Sequence, residues 1–285
     1  GPAFVAGVAY LDPGNVATNL TAGGKYGFLL LWVIVAANLA AWLVQYLSAK
    51  FGIATGKSLP EVMGDRLTNK PIRLAYWAQA QLVAIATDVA EIIGGAIALK
   101  ILFNLPMLVG ALVTGFFSIA HLSLRERGSE KAFEIVIVLL IGVTAIGFTS
   151  GLFAAPANTH AVLAGLIPHF AGKDSLLLAV SIIGATIMPH AIYAHSALSC
   201  DRSAYRRNVT SKAGLLKATK WDVSIAMMVA GLVNAGILIV GAVNLYGHKI
   251  NDSIIGAHAA ISDSLGLTFG TLFAFGLLAS GVASS

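Results

Sequence analysis

The chain has 285 residues, 57% of them hydrophobic and 11% charged, with a mean hydropathy of +0.83, whereas soluble domains carry about 25% charged residues; this excludes an ordinary soluble domain and points to a membrane protein. The net charge of +5 does not signal nucleic acid, because the basic residues form no patch or run with interleaved aromatics. Cys200, the one cysteine, excludes a disulfide framework within the chain and any cysteine-based zinc or iron–sulfur cluster.

The chain opens on Gly1 with no charged-then-apolar signal ahead of the first span, so it reads as trimmed and not as cleaved for export. Crossing a bilayer takes about 20 apolar residues. Such stretches cover 1–24, 26–49, 74–99, 101–124, 135–155, 175–199, 223–247 and 264–285, and none shows strand alternation. Eight transmembrane helices are predicted, separated by turn-rich segments such as Gly23-Gly24-Lys25, Ser58-Leu59-Pro60 and residues 156–173.

The first span contains GVAYLDPGNVATNL. Proline lacks an amide hydrogen and glycine is a poor helix former, so Pro13-Gly14 predicts about one unwound turn. The freed carbonyls near Ala9 and Tyr10 are expected to face inward, beside the Asp12 carboxylate and the Asn15 amide oxygen. Irregular backbone at membrane depth persists only where protein or a water-filled cavity satisfies it. The segment therefore reads as an oxygen-rich cation site, against the plainer reading of a proline kink with a tolerated acid.

The loop between spans 2 and 3 carries Lys50, Lys57, Arg66, Lys70 and Arg73; that between 4 and 5, Arg125, Arg127 and Lys131; that between 6 and 7, Arg202, Arg206, Arg207, Lys212, Lys217 and Lys220. Lys25, Lys100, Lys173 and Lys249 fall singly in the alternate loops. Because cytoplasmic loops collect Lys and Arg, the N-terminus is predicted to be cytoplasmic, and the basic surplus becomes an orientation signal that also suits anionic lipid headgroups.

In the third span, Asp88 and Glu91 are spaced i, i+3 on one helix face. There they repel unless a proton or a cation sits between them, so the pair can relay protons; packing against polar neighbours is the alternative. Intramembrane carboxylates cost about 2.5–3.5 kcal/mol each at a helix centre and usually line a polar pathway. His121, near the cytoplasmic end of the fourth span, reads as interfacial and stays outside the site.

The sixth span, with IIGATIMPHAIYAHSAL, again has glycine, proline and polar residues at its middle. Met188-Pro189 answers Asp12-Pro13, and five intervening spans make the second break run in the opposite sense, as an inverted five-helix repeat requires. The predicted units are residues 1–155, spans 1 to 5, and 156–285, an incomplete second repeat with spans 6 to 8. Oxygen ligands alone suit Mg²⁺ or Ca²⁺, whereas the Met188 thioether beside them favours Mn²⁺, Fe²⁺ or Cd²⁺; the alternative is a methionine that merely fills a gap. His190 and His195 are five residues apart, roughly 140° around the helix, and make no common metal-binding face. His190, just after the break, is the better proton carrier, and His195, a turn nearer the cytoplasm, is placed on the exit route. The chain ends inside the eighth apolar run and reads as a fragment.

DPGN at Asp12 to Asn15, ATDVAEIIGGAIAL around Asp88 and Glu91, and GATIMPHAIYAHSAL from Gly184 to Leu198 closely resemble the Nramp family of divalent-metal transporters, with similarity over all eight spans. The resemblance implies an all-α polytopic membrane protein with a LeuT-like inverted repeat of about eleven spans, broken in its first and sixth helices, in a bacterial cytoplasmic membrane. It implies symport of Mn²⁺, Fe²⁺ and also Cd²⁺ with protons. Asp12, Asn15 and Met188 match the family's side-chain metal ligands, Ala9 and Ala185 match its backbone-carbonyl ligands, and Asp12, Asp88, Glu91 and His190 match residues implicated in proton movement. The metal is then cargo and the proton the coupling ion, with no resident cofactor and no obligate protein partner expected.

A sodium-coupled symporter for amino acids or other organic solutes shares that architecture, but Asp12 argues against it, since a substrate carboxylate avoids a fixed anion. The other alternative, an intramembrane metalloenzyme, is disfavoured by the lack of H-E-x-x-H and of a G-x-S-x-G nucleophile beside a histidine.

Overall fold

Proline divides the first span where the sequence predicts. In the computed structural model, which describes residues 2–126, 130–206, 211–247 and 254–284, helix α1 (Pro2–Val8) gives way to a 3₁₀ turn over Ala9–Leu11, and α2 (Pro13–Tyr26) begins at the proline. Asp12 is extended (φ −67°, ψ 160°) and caps α2 through its side chain, with Pro13 in the first helical position. That position needs no N–H, and a carboxylate suits the positive end of a helix.

Next come α3 (Leu31–Thr55), α4 (Leu59–Arg66), the 34-residue α5 (Lys70–Phe103), α6 (Met107–Glu126) and α7 (Glu130–Thr149). Ser58 and Glu61 form a reciprocal capping box at the start of α4. The turns α8 (Gly151–Ala154) and α9 (Thr159–Ala164) lead to α10 (Lys173–Thr186) and α11 (Pro189–Arg206), the two halves of the sixth span. They are followed by α12 (Lys212–Asn244), α13 (Ile254–Leu265) and α14 (Leu267–Ser284). Each of the eight expected spans has its helix. Among the described residues six segments are long and apolar enough to cross a membrane, Leu31–Thr55, Lys70–Phe103, Ala132–Ala154, Lys173–Ser203, Lys212–Asn244 and Leu267–Ser284, while Pro2–Leu11 and Met107–Ser123 are shorter apolar helices.

The outward faces are apolar, with Leu39, Leu43 and Leu47 on α3 and Leu82, Ile85, Val89 and Ile93 on α5 all exposed. These stripes recur at helical spacing and face away from the protein interior, the inverse of a soluble bundle. The interior centres on α12, whose Val223, Ala226, Met227, Ala230, Val233, Ile237 and Val240 join the main core with Val8, Tyr10, Val16 and Leu20. Small residues let the backbones approach. A Cβ on Gly23 of α2 would lie 2.6 Å from Ala242 N of α12, and one on Gly94 of α5 would collide with the Pro13 ring. The break is thus wedged between α12 and α5.

The loops following α3 and α11 meet at one end, where Lys212 Nζ donates to Ala54 O at 2.9 Å, Lys57 pairs with Asp65 at 2.7 Å and Arg202 lies 3.8 Å from Asp222. At the opposite end Trp32 N donates to Gly165 O at 3.0 Å and its ring meets Phe170 edge-on. Arg127, Arg207 and Lys249, and the side chains of Arg125, Lys131 and Arg206, lie outside the described residues.

Candidate functional site

The second break is built like the first. The C-cap of α10 is Ile187, whose N–H reaches Ile183 O at 2.9 Å, and Pro189 opens α11. A residue before proline is disfavoured in the α region, so Met188 sits between two half-helices, buried at 6% exposure. The carbonyl end of α10 carries negative partial charge and therefore favours a cation.

Asn15 joins the breaks. Its Nδ2 donates to Asp12 Oδ1 at 2.6 Å and, 170 residues away, to Ala185 O at 2.9 Å, while its N–H also reaches Asp12 Oδ1 at 2.9 Å. Thr186 Oγ1 lies 3.4 Å from Asn15 Oδ1 but gives its hydrogen at 2.7 Å to Ile182 O, leaving its oxygen able to accept. The electropositive NH₂ of Asn15 therefore lies between a carboxylate and a carbonyl, where a cation has its best electrostatic position. Rotating the amide by half a turn would present Oδ1 to that position and NH₂ to Thr186. Asp12 and Asn15 are buried, at 5% and 0% exposure. Among the described residues no three His, Cys, Asp or Glu side chains converge as a metal cluster, so cation ligation here would draw on carboxylate, amide, carbonyl and thioether donors.

The freed carbonyls depart from expectation in one respect. Across the break, the α-helical donors to Ala9, Tyr10 and Leu11 would come from residues 13 to 15. Tyr10 O is instead taken by Asn234 Nδ2 at 2.8 Å, and Leu11 O by the Ser280 hydroxyl. The Tyr10 carbonyl is consequently not free to face a cation; a protein amide has claimed it. Ala9 faces Pro13, which has no N–H to offer, and among the described residues no side chain donates to its carbonyl.

Asp88 and Glu91 share one helix but not one environment. Glu91 is fully buried and Asp88 exposed. Glu91 lies within electrostatic reach of both Asp12 and Asp88, and Asp88 within electrostatic reach of His190. Among the described residues neither Glu91 oxygen has a hydrogen-bond partner. The Ser284 hydroxyl comes near but donates to Ser280 O at 2.8 Å. Glu91 is thus coupled to the acid at the first break, and Asp88 to Glu91 and to His190, which follows the second break directly at Pro189.

His195 lies elsewhere. It is buried, and its Nδ1 is 2.7 Å from Gln45 Oε1, an atom that only accepts, so Nδ1 carries the hydrogen. Gln45 Nε2 then donates to the Tyr10 hydroxyl at 2.8 Å. His195 is therefore tied through α3 to the first break, and among the described residues its Nε2 is without a partner. His121, which the sequence leaves outside the site, stacks on Phe133 with centroids 4.7 Å apart. Scanning the spans for ionisable residues passes over Gln45, Thr186, Asn234 and Ser280, all uncharged. An amide inside an apolar run, as in AWLVQYL, was the available signal.

Residues 3–285 match the family model described as Nramp, natural resistance-associated macrophage protein-like. The chain is 55% identical over 285 residues to the divalent metal cation transporter MntH of Mycobacterium tuberculosis, covering 100% of this chain and 66% of that protein. It is 44% identical over 288 residues to the MntH of Bacillus subtilis, covering 67% of that protein. The structure matches the crystal structure of a mutant Eremococcus coleocola manganese transporter with a TM-score of 0.87 at 32% identity, covering 100% of this chain and 62% of that one. The chain thus spans about two thirds of the length of these relatives, and the all-helical, LeuT-like architecture is shared with the solved transporter.

Proposed function

The chain belongs to the Nramp family, and from that membership we propose a proton-coupled symporter that imports divalent transition-metal ions across a bacterial cytoplasmic membrane by alternating access. Mn²⁺ and Fe²⁺ are the proposed cargo, with Cd²⁺ also accepted. The relatives are named as transporters of divalent metal cations and of manganese, and none of those names is an enzyme's. The N-terminus and the basic loops lie in the cytoplasm, and residues 1–155 and 156–285 contribute to two inverted repeats.

The observation that carries this reading is the Asn15 bridge between Asp12 Oδ1 and Ala185 O. It brings the two breaks together around one electropositive atom pair, so a cation that displaces the NH₂ meets oxygen donors from both halves. An arriving ion sheds water for Asp12, the rotated Asn15 oxygen, the Ala9 and Ala185 carbonyls and the Met188 thioether. Membrane potential drives it inward, since a divalent ion gains about 4.6 kcal/mol per 100 mV. The coupled proton is taken by Asp12 or His190 and passes along Glu91 and Asp88. Their separate environments suit a relay, because the buried Glu91 communicates with the metal-binding acid and the exposed Asp88 with the histidine. Binding of an amino-acid substrate in place of a metal is disfavoured by the fixed Asp12 charge.

The test is Mn²⁺ uptake by the full-length protein in proteoliposomes carrying an internal pH dye. Mn²⁺ entry accompanied by acidification of the lumen is expected. Uptake with no acidification removes proton coupling, and uptake of organic solute in preference to Mn²⁺ removes the metal assignment.

A further inference from the structure

Asn234 of α12 makes two bonds that no requirement of helix packing explains. Its Nδ2 donates to Tyr10 O at 2.8 Å, and its Oδ1 accepts from Asn19 Nδ2 at 2.9 Å. Tyr10 belongs to the 3₁₀ turn before the break, and Asn19 to α2 after it. One side chain therefore holds both sides of the interruption. All three residues are buried, with Tyr10 and Asn19 each 1% and Asn234 4% exposed, where a lost partner leaves a polar group unsatisfied at a cost of about 1–3 kcal/mol. On the far side of Asn234, the close approach of Gly23 to α12 keeps α2 against the same helix.

We propose that Asn234 is a positioning residue for metal binding: it fixes the angle between α1 and α2 and withholds the Tyr10 carbonyl from the cation, so that Asp12, Asn15 and the Ala9 carbonyl keep the geometry the ion needs. Ser280 does the same for Leu11 O from α14, so the ligands that remain are selected by which carbonyls the surrounding helices have already taken. This rests on the metal-binding reading above. Its structural half, the clamp, is independent of any metal.

Two measurements on the full-length protein separate the two. Asn234→Leu keeps a similar volume and removes both bonds, whereas Asn19→Leu removes only the bond to α2. In metal-free protein, hydrogen exchange of residues 9–16 is expected to accelerate about tenfold in Asn234→Leu and less than about threefold in Asn19→Leu. The Kd for Mn²⁺ is expected to rise about tenfold in Asn234→Leu, with maximal uptake at saturating Mn²⁺ within about twofold of the parent. Unchanged exchange in Asn234→Leu overturns the clamp, and equal effects of the two variants reduce it to packing, which also overturns it. Wild-type protein that binds no Mn²⁺ sinks the functional reading instead, and the exchange result still decides the clamp.

Discussion

Asp12→Ala is expected to lower Mn²⁺ uptake by the full-length protein at least about 100-fold, which corresponds to about 2.7 kcal/mol. Two effects combine. Asp12 is the one carboxylate within the oxygen cluster that joins the breaks, and in a buried site a divalent ion depends on a formal negative charge far more than it would in water. The same side chain caps α2, and removing a cap costs about 0.5–2 kcal/mol of helix stability. Asp12→Asn separates these contributions, because an asparagine still accepts from Asn15 N but carries no charge. Radiotracer uptake should fall nearly as far in Asp12→Asn as in Asp12→Ala, while the melting temperature of Asp12→Asn stays near that of the parent. Uptake within about threefold of wild type in Asp12→Asn would mean that the charge is not what binds the ion.

The second large effect is on selectivity. Met188→Ala is expected to reduce Mn²⁺ uptake about tenfold and to let Ca²⁺ compete at concentrations at least about tenfold lower than in the parent. The physical reason is the donor set: carboxylate, amide and carbonyl oxygens by themselves suit Ca²⁺ and Mg²⁺, and the thioether is the only soft atom offered at the breaks. Met188 is buried, so alanine also leaves a cavity worth about 2–5 kcal/mol. Met188→Leu controls for this by keeping the volume and losing the sulfur. Competition by Ca²⁺ measured in proteoliposomes should rise in both variants. A leucine variant that still rejects Ca²⁺ would return Met188 to the role of core filler.

The breaks were legible in the sequence because their chemistry is local. Proline without an N–H at residues 13 and 189, and an acid able to cap at residue 12, act on their own helices whatever surrounds them. The eight helices followed from the apolar runs for the same reason. What could not be read was set by partners far along the chain. Tyr10 O was expected to be free, and it is bound by an asparagine more than two hundred residues away. Asp88 and Glu91 were legible as one face of a helix, but their different burial depends on α11 and α14, which no spacing rule specifies. The link from His195 through Gln45 to Tyr10 was likewise out of reach, since an amide in an apolar run signals that it needs a partner but not which one. The short helices α4 and α9, and nearly all of α13, lie in segments read only as loops.

The most direct test of the whole account is to locate Mn²⁺ by anomalous scattering in crystals of the full-length protein. One peak is expected between the breaks, within coordination distance of Asp12, the Asn15 side-chain oxygen and the Met188 sulfur, with the Asn15 amide turned from its metal-free orientation. A peak beside Asp88 and Glu91 with the space between the breaks empty would contradict it.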